Sequence, residues 1–75
     1  MKLGEKIKYL RIRKGYSQRE LARQAGVSST TVYFLELEKA VKDPHPNTLK
    51  KIADALGISI DDLIEEESKD LQKVS

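Results

Sequence analysis

Sixteen consecutive residues, Ser17 to Val32, hold two helix starts separated by a single glycine. Ser17 is a capping residue, and Glu20, three positions on, is placed to reach back and close a capping box. Tyr16 and Leu21 flank this cap where a hydrophobic staple ties the incoming chain to the helix. A helix over about 17–25 then turns Leu21, Ala22 and Ala25 to one side. Gly26 follows where a helix ends by stepping into left-handed backbone, which a residue without a Cβ does at least cost. Ser28 caps a second helix over about 28–38, and Val27 with Val32 repeats the staple.

The same punctuation runs through the rest of the chain. Leu3, Ile7 and Leu10 recur at helical spacing, so a first helix is expected from about Leu3 to Lys14, closed by Gly15. Asp43-Pro44-His45-Pro46 breaks the chain again. Pro44 stops any helix running through it, and Pro46 suits a first helical turn. A fourth helix, about Pro46 to Leu56, turns Leu49, Ile52, Ala53 and Leu56 inward and ends at Gly57. Ser59-Ile60-Asp61-Asp62 reads as one more capped start, with Leu63 inward and Ile64 beside it. No strand alternation appears. The expected fold is all-α: a compact five-helix bundle, with residues 1–66 as one domain and 67–75 as an acidic tail that frays.

Charge divides the chain unevenly. Residues 1–59 carry 12 Lys and Arg against 6 Asp and Glu, whereas residues 60–75 carry 2 against 6. A basic body with an acidic tail suits a polyanionic partner, the tail turned away from it. Cysteine is absent, which excludes a disulfide framework and a thiolate metal site. No apolar run is long enough to span a bilayer, and no signal-peptide core stands at the amino terminus, so a cytoplasmic protein with no membrane partner is expected. His45 is the single histidine, lies among prolines and has no metal-ligand spacing around it. The acidic residues Asp61, Asp62 and Glu65 to Glu67 read as helix-start charge and a solvated tail rather than an acid–base pair. Neither an enzyme, a cofactor site nor a metal site is expected.

Two capped helices about one glycine are the signature of a helix-turn-helix, which lays its second helix in a DNA major groove. An ordinary helical hairpin is the bland alternative. With all elements placed, the chain resembles the Cro and phage-repressor type, or Xre-like, helix-turn-helix domain. The matching residues are Leu10-Arg11, Gly15-Tyr16-Ser17-Gln18, Glu20-Leu21-Ala22, Ala25-Gly26-Val27-Ser28, Leu35-Glu36, Thr48-Leu49, Ile52-Ala53 and Ala55-Leu56-Gly57-Ile58-Ser59. The resemblance covers about Leu3 to Ile64.

The resemblance implies a lambda-repressor-like fold and a transcriptional regulator, a repressor that binds double-stranded DNA as a homodimer on a palindromic operator. It implies that Gln18 touches a phosphate and braces the second helix of the motif, that Ser29 and Thr30 reach base edges with Tyr33 and Phe34 further along, and that Arg11 pairs with Glu36. Backbone phosphate contacts are expected from Ser28 and from the basic residues Arg13, Lys14, Arg19, Arg23, Lys39 and Lys42. Ile58, Ile60, Ile64 and Leu71 are the candidate dimer interface, although Ile58 and Ile60 equally suit the core.

The chain departs from the family at one functional point. Exposed positions that are often Arg, Gln, Asn or Ser are here Tyr33, Phe34 and Leu37. Sequence readout would then lean on thymine methyls, hydroxyl hydrogen bonds and DNA shape. Two alternatives stay open: Phe34 and Leu37 pack under the following loop with Val41, or the patch binds a protein partner, as in an antitoxin-like interaction module.

Overall fold

The computed structural model describes residues 2–37 and 45–64, and within them five helices: α1 (Leu3–Arg13), α2 (Gln18–Ala25), α3 (Ser29–Leu37), α4 (Pro46–Leu56) and α5 (Ile60–Ile64). Each boundary has a local cause. The Ser17 hydroxyl accepts the Glu20 backbone N–H at 3.0 Å and so satisfies one of the orphan donors of α2. Ser28 does the same for Thr31 at 3.1 Å, and Ser59 for Asp62 at 3.0 Å. Gly26 takes the left-handed conformation at φ 71°, and the Val27 N–H then returns to the Ala22 carbonyl at 3.0 Å. This closes the end of α2 and sets the angle at which α3 departs.

Two terminal details differ from expectation. Glu20 does not close a capping box: its carboxylate accepts instead from Arg23 at 2.8 Å and 3.2 Å and from Gln24 at 2.7 Å. A guanidinium one turn ahead offers two charge-assisted donors, against one neutral backbone N–H behind. At α4 the cap comes from His45, whose Nδ1 accepts the Asn47 N–H at 3.1 Å. A histidine is not among the usual capping residues, and the spacing gave no sign of it.

The core gathers the residues that helical periodicity turns inward. Ile7, Leu21, Val32, Ile52, Ala53 and Leu63 are fully buried, with Ala22, Ala25, Leu35, Leu49 and Leu56 almost so. Leu3, Leu10, Tyr16, Val27, Ile58 and Ile60 seal the edges of this cluster, so Ile58 and Ile60 contribute to the core. Ile64 is 48% exposed. α3 packs against both α1 and α2, α4 against α2 and α5, and α5 returns to α1, where Lys6 Nζ donates to the Asp62 carbonyl. None of these helices is long and apolar enough to cross a membrane. A helix of nine residues such as α3 is marginal by itself in water, so its place depends on the two helices beneath it.

Candidate nucleic-acid interface

α3 is held from below by a polar lock at its carboxyl end. Glu36 Oε2 accepts from Arg11 Nε at 2.6 Å, and its Oε1 from Arg11 Nη2 at 3.1 Å, a bidentate pair. Gln18 Nε2 donates to the same Oε1 at 3.1 Å, and Arg11 Nη1 donates to the Tyr16 carbonyl at 2.9 Å. The Arg11 and Glu36 side chains are only 11% and 6% exposed. One guanidinium thereby joins α1, the turn before α2, and α3, while Gln18 adds the first residue of α2. Charges removed this far from water persist only when their hydrogen bonds are met, and among the described residues no buried side-chain nitrogen or oxygen lacks a partner.

The opposite side of α3 is open. Ser29, Thr30, Tyr33, Phe34 and Leu37 are all exposed, and counting 100° per residue puts Thr30, Phe34 and Leu37 on one line, with Tyr33 beside it and Ser29 at its edge. Phe34 remains 38% exposed, and its ring and that of Tyr33 are T-shaped to each other, centroids 5.5 Å apart at 61°. The hydroxyls of Ser28 and Thr31 are 2.9 Å apart and occupied with each other and the cap. Those of Ser29, Thr30 and Tyr33 have no hydrogen-bond partner among the described residues.

The candidate backbone contacts fall into separate places. Arg19 and Arg23 share a shallow cleft with Ser17, Glu20 and Ser29, between the starts of α2 and α3. Within it, Glu20 and Arg23 stabilise each other's charge: hydrogen bonds from Arg23 and then Gln24 lower the Glu20 pKa, and the hydrogen bond to Glu20 raises that of Arg23. Arg13 lies with Tyr9, its Nη1 donating to the phenol oxygen at 2.8 Å and its guanidinium 5.4 Å from the ring centroid. Lys14 runs beside Gly57, the residue that ends α4. Its ammonium thus lies at the negative end of that helix. Lys39 and Lys42, like Val41 and Leu71, lie outside the described residues.

Sequence reasoning passed over two contacts here. The Arg11 bond to the Tyr16 carbonyl involves a main-chain oxygen, which leaves no trace in residue identity. The Tyr9–Arg13 contact was legible as an aromatic and a cation four apart on one helix.

Comparison with known proteins places this geometry. The helix-turn-helix family model matches residues 7–63. The HTH-type transcriptional regulator SlrR of Bacillus subtilis is 34% identical over 74 residues, covering 97% of this chain and 47% of that protein. The chain spans about half the length of the curated relatives it matches. Among solved structures, a complex of the SinR and SinI proteins superposes with a TM-score of 0.81 at 30% identity, over 96% of this chain and 73% of the other. The biofilm master regulator SinR in complex with DNA superposes with a TM-score of 0.74 at 34% identity, over 81% of this chain and 95% of the other.

Proposed function

The chain belongs to the helix-turn-helix family of the Cro and phage-repressor type, and from that premise we propose that it is the DNA-binding part of a transcriptional repressor. In this reading α3 is the recognition helix, entering the major groove of an operator and excluding other proteins from it. The observation that carries the proposal is the two-sidedness of α3. Its inner side is locked to α1 and α2 through Arg11, Gln18 and Glu36, and its outer side is open. A helix held so rigidly spends little conformational entropy on docking. The SinR chain solved with DNA superposes on this one over 95% of that solved chain.

Roles follow from position. Ser29, Thr30, Tyr33 and Phe34 face bases. Arg19, beside the start of α3, faces a phosphate, as does Arg23 once it leaves Glu20, and the second N–H of the Gln18 amide is available to another. Arg13 and Lys14 serve DNA only if they leave Tyr9 and the end of α4. The domain works as a homodimer on a two-fold symmetric site, since pairing two modest half-site contacts multiplies affinity. Of the candidate interface residues Ile58, Ile60 and Ile64, it is Ile64 that is exposed, with Ile58 and Ile60 at the core edge.

Selection from a random duplex pool tests all of this. The expected result is a palindromic consensus bound at least about 1,000-fold more tightly than scrambled DNA, with affinity falling steeply as salt rises. Equal affinity for selected and scrambled duplexes would overturn the assignment. The exposed Tyr33, Phe34 and Leu37 also fit a protein partner, and SinR is known in complex with the protein SinI. That second reading predicts stoichiometric protein binding that Phe34→Ala abolishes, with DNA affinity remaining non-specific.

A further inference from the structure

The nine residues of α3, from Ser29 to Leu37, include no Arg, Lys, Asn or Gln. Those four side chains make the bidentate contacts by which guanine and adenine are read in the major groove. Glu36 could accept from the cytosine amino group, but both of its oxygens are taken by Arg11 and Gln18 on the buried side. Thr31 is occupied with Ser28. What remains on the outer line is a methyl and hydroxyl at Thr30, a ring at Phe34 and a branched aliphatic at Leu37, with the Tyr33 phenol alongside.

One feature of the major groove is complementary to such a surface. Each thymine carries a C5 methyl group, and no other unmodified base presents a methyl there. Resting on the assignment of α3 as recognition helix, we propose that this domain selects its sites through thymine methyl groups packed against the Thr30 methyl and the Phe34 ring. Thr30 and Phe34 are the specificity-determining residues. Four positions apart on a helix, they stand about 5–6 Å from each other and form one continuous apolar spot. The T-shaped contact with the Tyr33 ring restrains Phe34, and β-branching limits Thr30 to two helical χ1 rotamers. Arg19, in the cleft beside Ser29 and with no carboxylate partner among the described residues, supplies charge that favours a polyanion over an apolar protein surface at this face, whereas Arg23 there is paired with Glu20.

Deoxyuridine differs from thymidine in the missing methyl alone and pairs identically. In the duplex selected from a random pool, each thymine is replaced in turn by uracil and affinity is measured by fluorescence anisotropy. The expected loss is about fourfold per contacted methyl, the factor that burial of one such group gives, at one or two positions in each half-site. Thr30→Ser keeps the hydroxyl and deletes the methyl. It should weaken binding to the thymine duplex by a similar factor, and replacing the facing thymine by uracil should then cost little more, because the two changes remove the same contact. Specific binding that is indifferent to uracil at every thymine overturns the proposal while leaving the DNA-binding assignment standing. Binding no tighter to the selected duplex than to a scrambled one overturns both.

Discussion

The two faces of α3 share one nine-residue helix and are governed by different physics. Inward, Val32 and Leu35 lie in the core, and Glu36 holds Arg11 and Gln18 with both oxygens. Outward, Thr30, Tyr33, Phe34 and Leu37 leave large side chains against solvent. So short a helix cannot hold its shape alone, so its stability has to come from one side, which leaves the other free to vary with whatever it meets. A second contrast repeats the lesson. Arg11–Glu36 and Arg23–Glu20 are both bidentate pairs, but the first is nearly buried whereas Arg23 and Glu20 are 73% and 33% exposed. Only the buried pair can fix the position of an element, because water competes for the other.

The sharpest way to break this comparison is Glu36→Ala. Leaving the Arg11 guanidinium buried without its carboxylate is expected to cost about 3 kcal/mol or more. For a domain of this size that lowers Tm by more than about 10 °C. An unchanged thermal melt by circular dichroism would sink the lock. Replacing both partners, Arg11→Met with Glu36→Leu, should recover part of the loss, since no unpaired charge then remains.

Next in size is Ser28→Ala, which removes the cap at the start of α3 and should cost about 1 kcal/mol. Faster hydrogen exchange at the Thr31 amide, whose acceptor is lost, would show where the cost falls. Thr30→Ser, on the outer face, is expected to change stability by less than about 0.5 kcal/mol while changing DNA affinity. A Tm shift as large as that of Ser28→Ala would show that the outer face also carries the fold.

The smallest effect is acidic. Hydrogen bonds from Arg23 and Gln24 hold the Glu20 pKa below its ordinary 4.5 in the folded protein. The folded state therefore binds this proton less readily than the unfolded chain does. Its contribution to stability is present above the ordinary value and is lost as pH falls through the lowered folded one. Glu20→Gln should flatten that part of the Tm-against-pH curve below pH 4.5, and salt should weaken it in the parent protein. A curve unaltered by the substitution would mean that this exposed pair contributes nothing measurable.

Much of this is legible in the order of residues. Ser17, Gly26 and Ser28 mark the motif because capping hydroxyls and positive-φ glycines act within a few residues of chain. The core residues were legible because helical periodicity reports which side must leave water. Arg11–Glu36 was expected by family resemblance alone, as 25 positions separate the partners and no local rule joins them. Glu20 was misjudged at the cap because two local partners competed for one carboxylate, and the choice depended on side-chain geometry. The capping role of His45 rests on the orientation of its ring, whose Nδ1 accepts the Asn47 N–H, and residue identity does not specify that.

By itself the amino-acid sequence determined where the described helices start and stop, which of their sides are apolar, and that two of them meet at Gly26. Those properties are set by interactions over three or four positions, which residue order specifies directly. Tertiary structure alone decided that one guanidinium ties three parts of the chain together, that Arg19 stands beside Ser29 while Arg13, Lys14 and Arg23 turn to other partners, and that Phe34 is 38% exposed. Each depends on how helices distant in sequence are oriented, and that orientation is fixed only when the whole core packs.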